Sequence, residues 1–108
     1  DLLTQGSFSD AMQGCGVVMH TASPFVLDGF IDANEALVRP AVEGTANVLN
    51  TVNECASVTR VVLTSSVAAV YGDNKDILAV PSGVFTEDHW NTTSSVNHNP
   101  YQYSKVAA

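Results

Sequence analysis

The chain carries two short apolar runs, and a longer stretch with helical spacing lies between them. The runs cover residues 16–21 and 58–64, which are strand lengths, and both contain β-branched residues. From about Asp32 to Ala56, small and apolar side chains recur at steps of three and four residues, as on one face of a helix. Because proline has no backbone N–H, we expect Pro40 to kink this helix or to divide it in two.

Two shorter helices are predicted near the ends of the chain. The first covers residues 7–14, where Ser7 can cap the helix and Gly14 can end it. The second begins near Pro100, since proline suits the first turn of a helix. Between residues 71 and 100 the chain is polar and rich in turn-forming residues. This predicts a long loop, of a kind that is usually functional or disordered.

The order of these elements indicates the fold class. Helix, strand, helix and strand alternate, and strands joined through helices pair in parallel. The chain is therefore expected to be α/β, with a parallel sheet and crossover helices. Its 108 residues correspond to one domain or part of one. Since it begins with Asp1 rather than Met and only 14% of its residues are charged, we expect an internal piece of a larger domain.

Charge and composition exclude several kinds of partner. With a net charge of −7 and four Lys and Arg residues, the chain has no basic stripe for nucleic acid or for an anionic membrane surface. No apolar run approaches membrane-spanning length and no signal peptide is evident, so a cytoplasmic protein is predicted. Cys15 and Cys55 are expected to be reduced thiols. No metal site is predicted, since His89 and His98 have no partners at ligand spacing.

Three side chains could carry acid–base chemistry at the end of the sheet where ligands bind. Ser66 follows the second strand, and open parallel sheets bind ligands outside the carboxyl ends of their strands. Tyr101 and Lys105 share a helix face, and an ammonium beside a phenol stabilises the phenolate that forms on proton transfer. A serine at a strand end can equally satisfy loop backbone groups, and the Tyr-x-x-x-Lys spacing is short enough to occur by chance.

The whole pattern resembles the extended short-chain dehydrogenases/reductases, and within them the dihydroflavonol reductase and cinnamoyl-CoA reductase branch. These enzymes have a strand ending in serines, then a polar loop, then a helix that opens with Tyr-x-x-x-Lys. The similar segments are 1–2, 6–8, 14–15, 18–24, 40–49, 60–66, 87–90 and 99–105. The resemblance implies that residues 1–108 are the middle of one NAD(P)-binding, Rossmann-like domain, from the end of its third strand to the start of the catalytic helix.

The resemblance also implies a role for each matching position. Ser66 corresponds to the serine that binds the substrate carbonyl, and Tyr101 corresponds to the proton donor. Lys105 corresponds to the lysine that binds the nicotinamide ribose and assists the tyrosine. Tyr71 falls where this branch places a side chain that faces the substrate. The implied cofactor-binding residues are Asp1, Leu2, Thr21, Ala22, Ser23, Tyr101 and Lys105.

The implied activity is the transfer of a hydride from NADPH to a ketone or aldehyde carbonyl of a small molecule. NAD is the alternative cofactor, because the glycine-rich loop and the residues that read the 2′-phosphate are not among these residues. The alternative functions are an NAD-dependent epimerase/dehydratase, a hydroxysteroid dehydrogenase of the same superfamily, or a non-catalytic cofactor-binding regulator. Pro40 favours a reductase over an epimerase, since extended epimerases usually have Asn near this position. By itself the piece is expected to be inactive.

Other residues have simpler interpretations. His20 lies in an apolar run and is expected to be a core histidine with satisfied hydrogen bonds. Phe85 and Trp90 are expected to pack the polar loop onto the sheet, and a place in the lining of the substrate pocket is the alternative for Trp90. Asn91 begins an Asn-Thr-Thr glycosylation sequence, which we expect to be unmodified because no secretory signal is evident.

Overall fold

Two β-strands and three α-helices alternate along the chain in a computed structural model that describes residues 1–108. In chain order they are α1 (Ser9–Met12), β1 (Val17–His20), α2 (Arg39–Glu54), β2 (Arg60–Leu63) and α3 (Pro100–Ala107). The remaining helical turns are a π-helical turn (Asn34–Val38) and two 3-10 turns (Val67–Ala69 and Asn74–Ala79). The predicted alternation of helix and strand is confirmed. None of the helices combines the length and apolar character needed to cross a bilayer.

β1 and β2 pair in parallel, with Val17 opposite Arg60 and His20 opposite Leu63. The N–H of Thr64 donates to the carbonyl of His20 at 2.9 Å, so hydrogen bonding continues past the end of β2. The π-helical turn and α2 lie in the crossover between the strands, as a parallel connection requires. The carboxyl ends of both strands consequently lie side by side at one end of the sheet.

Pro40 lies where one helix type changes into another. The π-helical turn ends at Val38 and α2 begins at Arg39, so Pro40 is in the first turn of α2, where its missing N–H costs no helical hydrogen bond. The Arg39 guanidinium spans this junction and binds the carboxylates of Glu35, at 2.9 Å, and Glu43, at 3.3 Å. The stretch predicted as one interrupted helix is thus divided in two parts that follow each other without a gap.

α1 is shorter than predicted and begins differently. It covers Ser9–Met12, and its N-cap is Phe8, which has no side-chain hydrogen bond to the helix. Ser7, the predicted cap, instead donates its hydroxyl to the carbonyl of Asp1 at 2.7 Å. Gly14 has a φ of +76° and follows the helix end as predicted, since glycine adopts a left-handed conformation without strain.

The core lies between α1, α2 and one face of the sheet. Partly buried apolar side chains surround a buried cluster of Met12, Val48 and Cys55. The opposite face of the sheet is bare, with Val17 52% exposed and Met19 70% exposed. Burying one such side chain contributes ~1.5–3 kcal/mol to folding stability. Because this face of the sheet is uncovered, its side chains do not make that contribution.

Candidate active site

Ser66 lies just beyond β2, where the chain leaves the sheet. Its backbone is extended, with φ −149° and ψ 153°, and it caps the 3-10 turn Val67–Ala69. The Ser66 Oγ accepts a hydrogen bond from the N–H of Ala68 at 3.2 Å. Its hydroxyl hydrogen has no acceptor within the chain. The hydroxyl can therefore donate to a ligand while its oxygen stays bound to the turn.

α3 packs against the turn that follows Ser66. It contacts Val67–Ala69 and also the π-helical turn Asn34–Val38. Ser104 is 1% exposed on the packed side of α3 and donates its hydroxyl to the carbonyl of Tyr101 at 2.7 Å. A small side chain at this position allows the close approach of the two elements. Sequence reasoning missed Ser104, because nothing in the pattern marks a serine as buried.

Tyr101 and Lys105 lie on one side of α3, as their spacing predicts. The Nζ of Lys105 is 5.0 Å from the centroid of the Tyr101 ring. Burial lowers the pKa of Lys105 below its ordinary value, because the ammonium has lost part of its hydration. The pair brings a proton-donating phenol next to a partly desolvated cation.

The segment that follows β1 contacts both members of this pair. Lys105 Nζ donates to the Oγ of Ser23 and to the carbonyl of Pro24, the latter at 3.4 Å. Phe25 meets the Tyr101 ring edge to face, with the two centroids 5.4 Å apart. The chain after β1 and the start of α3 therefore form one site, although they are far apart in the sequence.

Two adjoining cavities lie at the carboxyl ends of the strands. The first has a volume of about 360 Å³, and Asp1, Leu2, Thr21 and Ala22 are among its lining residues. The second has a volume of about 270 Å³, and Ala22, Ser23 and Lys105 are among its lining residues. Six of the seven predicted cofactor residues therefore border one of the two cavities, and Ala22 borders both.

The polar groups around these cavities fit a nucleotide. Hydroxyls from Thr21 and Ser23 and an ammonium from Lys105 are donors of the kind that bind ribose hydroxyls and phosphate oxygens. Tyr101 and Ser66 line neither cavity. Tyr101 is connected to the cavities by the contacts of its ring with Lys105 and Phe25. Ser66 is connected to α3 through the turn Val67–Ala69, against which α3 packs.

Tyr71, the predicted substrate-facing residue, packs within the polar loop. Its ring stacks on Phe85 at a centroid distance of 4.8 Å and an interplanar angle of 8°. Phe85 in turn meets the His89 ring edge to face at 5.7 Å. No aromatic contact joins Tyr71 to Tyr101. Trp90 is 67% exposed and lines the second cavity together with Leu63 and Lys105, so it borders the end of the sheet without being buried against it.

His20 is a core residue, as predicted. It is 5% exposed, and its Nε2 lies 3.4 Å from the Oγ1 of Thr45 in α2. Burial lowers the pKa of His20, because the charged imidazolium is disfavoured away from water. His20 thus lies between the sheet and α2, and it also borders both cavities.

Asn91 is a structural residue that sequence reasoning missed. It is 6% exposed, and its Nδ2 donates to the carbonyl of Ala68 and to the Oγ of Ser94, both at 2.9 Å. In the sequence it stands out only as the start of a glycosylation motif. In the folded chain its amide nitrogen is enclosed and bonded, which leaves no access for a sugar.

The family of the chain follows from its match to known proteins. Residues 1–108 match the profile of the 3-beta hydroxysteroid dehydrogenase/isomerase family. The chain belongs to this family. Cinnamoyl-CoA reductase 1 of Petunia hybrida is 43% identical over 111 residues, which cover 100% of the chain and 30% of that protein. Dihydroflavonol 4-reductase of Gerbera hybrida is 33% identical over 90 residues, which cover 83% of the chain and 23% of that protein.

The fold of a solved structure is consistent with this family. Yeast methylglyoxal/isovaleraldehyde reductase Gre2, complexed with NADPH, matches with a TM-score of 0.79 and 34% identity. The match covers 99% of this chain and 34% of that chain. The predicted Rossmann-like fold and the resemblance to the reductase branch are confirmed. The chain spans only about a third, or less, of the length of these relatives.

Proposed function

We propose that residues 1–108 form the middle of one NAD(P)-binding Rossmann domain, in a reductase that transfers a hydride from NADPH to a ketone or aldehyde. The observation that carries the proposal is the contact of Lys105 with both Ser23 and the Tyr101 ring. This contact joins the carboxyl end of β1, where a nucleotide binds in such folds, to the residue suited to donate a proton. The names of the similar proteins, a carbonyl reductase with NADPH among them, support the same chemistry.

In the proposed reaction the nicotinamide supplies the hydride when the cofactor is bound. Ser66 donates its free hydroxyl hydrogen to the carbonyl oxygen of the substrate, on which negative charge develops. A donor already held in position stabilises that charge without reorganising. The Val67–Ala69 turn provides this preorganisation, since its backbone holds the Ser66 oxygen.

Tyr101 completes the reduction by donating its phenolic proton to the same oxygen. The phenolate left behind is stabilised by the ammonium of Lys105, 5.0 Å from the ring centroid. Lys105, which lies within hydrogen-bonding reach of Ser23, would hold the ribose hydroxyls of the bound cofactor through its N–H donors. NADPH is the cofactor that we propose, and NAD is the alternative. A direct comparison of the two cofactors would decide between them.

The test compares Tyr101→Phe with Tyr103→Phe in the full-length protein. Tyr103 is on the same helix but about 200° away around its axis, so it is a matched control. NADPH consumption is followed with a panel of aldehydes, α-diketones and flavanonols. We expect Tyr101→Phe to lower kcat by on the order of 10²–10⁴-fold, the usual contribution of a general acid, and to leave NADPH affinity unchanged. Equal activity of Tyr101→Phe and the wild type would refute the mechanism.

A second candidate follows from the family description itself, which names hydroxysteroid dehydrogenase and isomerase activity. Such an enzyme would use the same three side chains in the oxidative direction, with Tyr101 accepting the proton of an alcohol. The assay that separates the candidates supplies either NAD with a hydroxysteroid or NADPH with the carbonyl panel. Turnover only in the first reaction would favour the dehydrogenase, and interconversion of a nucleotide sugar with tightly held NAD would favour an epimerase.

A further inference from the structure

Hydrogen bonds from Asn91 hold the turn Val67–Ala69, which Ser66 caps. The N–H of Asn91 donates to the carbonyl of Ala69 and its Nδ2 donates to the carbonyl of Ala68, both at 2.9 Å. Ala68 is the residue whose N–H binds the Ser66 Oγ. The main-chain N–H and the side-chain amide of one buried residue therefore hold the two carbonyls at the far end of the turn that fixes the Ser66 side chain, and the side chain supplies the bond to Ala68. A buried amide with all its hydrogen bonds made defines its surroundings rigidly.

From Asn91 the hydrogen bonds continue into the middle of the polar loop. Its Oδ1 accepts from the N–H of Thr93 at 3.2 Å, and the Thr93 hydroxyl donates to Asp76 Oδ2 at 2.7 Å. The same carboxylate oxygen accepts from the N–H groups of Gly72, at 3.1 Å, and Asp73, at 2.9 Å. The Asp76 carboxylate thus joins Gly72 and Asp73, near the start of the loop, to Thr93, near its end.

Gly72 lets these groups come together. It is buried, and a Cβ at this position would lie 2.6 Å from the Thr93 Oγ1 and 2.7 Å from the Asn91 Oδ1, closer than carbon and oxygen can approach. The network could not form around a larger residue without a shift of one of its members.

The path ends at the start of α3. The Nδ2 of Asn99 donates to the carbonyl of Gly72 at 3.1 Å and to the Oδ1 of Asp73 at 3.0 Å. Asn99 has a φ of 55°, a left-handed conformation that asparagine tolerates, and its carbonyl accepts from the N–H of Tyr103 as the helix begins. Tyr101 is two residues beyond Asn99. An unbroken hydrogen-bonded path therefore connects the Ser66 turn to the base of the helix that carries Tyr101.

We propose that Asn91 and Asn99 are positioning residues, which set the Ser66 hydroxyl and the Tyr101 phenol at the separation that carbonyl reduction requires. This inference rests on the proposed function. Two groups must reach one carbonyl oxygen, and they come from segments that no strand or helix joins directly. Small displacements of catalytic groups are costly, since a shift of about 1 Å lowers rates by about 10²-fold. The path offers that alignment from outside the two cavities, since none of its residues between the Ser66 turn and α3 lines them.

The test measures kcat, KM, NADPH affinity and thermal stability for Asn91→Ala and Asn99→Gly in the full-length protein. Glycine keeps the left-handed backbone of Asn99 and removes only its amide. Asn97→Gly is the matched control, since Asn97 is exposed and its side chain makes no hydrogen bond. A primary isotope effect, measured with NADPH deuterated at the transferred position, reports on the chemical step.

We expect each positioning variant to lose about tenfold or more in kcat, with NADPH affinity close to wild type and an increased isotope effect. The double variant should lose less than the product of the two single losses, because both residues belong to one path. Wild-type kcat in folded Asn99→Gly would overturn the proposal, and so would a loss of kcat that only follows the unfolded fraction. If Asn91→Ala does not fold, Asn99→Gly decides. An inactive wild type, or a fully active Tyr101→Phe, would instead refute the proposed function and this inference with it.

Discussion

At the scale of single residues, Lys105 contacts three chemically different groups. Its ammonium contacts the Ser23 hydroxyl, the Pro24 carbonyl and the face of the Tyr101 ring. Burial lowers the pKa of Lys105, because the ammonium has lost part of its hydration. Such an arrangement at a strand end is typical of functional sites.

Substitution of Lys105 by methionine separates its two proposed roles. Lys105→Met keeps the length of the side chain and removes the charge and the donors. We expect kcat to fall by on the order of 10²-fold or more and NADPH affinity to weaken as well, in contrast to Tyr101→Phe, which should affect kcat alone. Steady-state kinetics and calorimetric titration of NADPH measure the two effects.

The control for Lys105→Met is Lys75→Met, which changes the other lysine of the chain. The Lys75 side chain is 75% exposed, and its Nζ lies 3.7 Å from Asp73, a surface ion pair of little energetic value. Equal cofactor affinity in Lys105→Met and Lys75→Met would contradict the ribose-binding role of Lys105.

At the scale of elements, the polar loop between β2 and α3 is more ordered than its composition indicates. Two 3-10 turns and a network around the carboxylate of Asp76 give it a defined course. Hydrogen bonds to that carboxylate, first from the Thr93 hydroxyl and then from the Asp73 N–H, hold the pKa of Asp76 below its ordinary value. The folded state therefore favours the ionised carboxylate more than the unfolded state does.

The depressed pKa of Asp76 predicts how stability depends on pH. Because the pKa is lower in the folded state, the stabilisation is fully present above the unfolded pKa of about 3.9 and is lost as the pH falls through the folded value. Asp76→Asn should therefore lower the Tm of the full-length protein at about pH 7, and its difference from wild type should shrink as the pH is lowered below about 4. Thermal unfolding followed by circular dichroism over this range measures the effect.

Asp88 provides the control for that series, since its carboxylate accepts no hydrogen bond and is exposed. Asp88→Asn should keep the Tm of the wild type throughout. A Tm difference between Asp76→Asn and wild type that stays constant down to the lowest pH would show that the carboxylate charge is not what stabilises the loop.

At the scale of the whole molecule, the chain is a thin layer. Its extents are 47 × 36 × 15 Å and its radius of gyration is 15.8 Å, whereas a compact domain of this length has about 13 Å. The two-stranded sheet is covered on one face, and the other presents Val17 and Met19. Parallel sheets are stable when both faces are covered.

This shape predicts the behaviour of residues 1–108 expressed alone. Bare sheet edges and an open apolar face promote association between chains, so we expect poor folding and no useful affinity for NADPH. Calorimetric titration of the isolated chain, beside the full-length protein as the positive control, provides the measurement. Binding of NADPH to the isolated chain with a micromolar Kd would contradict the prediction.

The amino-acid sequence by itself determined the element order, the parallel pairing and the shared face of Tyr101 and Lys105. These features depend on periodicities and spacings of a few residues, which any local stretch of sequence displays. The start of α1 differs from the predicted one, because hydrogen bonding at helix ends decides the boundaries and Ser7 binds Asp1 instead of capping α1. The family resemblance added the proposed roles of Ser66 and Lys105, which spacing alone left open.

Only the tertiary structure decided which distant residues meet. The contact of Lys105 with Ser23, the burial of Asn91 against Ala68 and the packing of Tyr71 on Phe85 all join segments from different elements. No local pattern contains such pairs, because they arise when helices and loops pack on the sheet and buried polar groups must find partners there. For the same reason Asn91, which begins a glycosylation motif in the sequence, is in the folded chain a buried residue that hydrogen-bonds to the turn after Ser66.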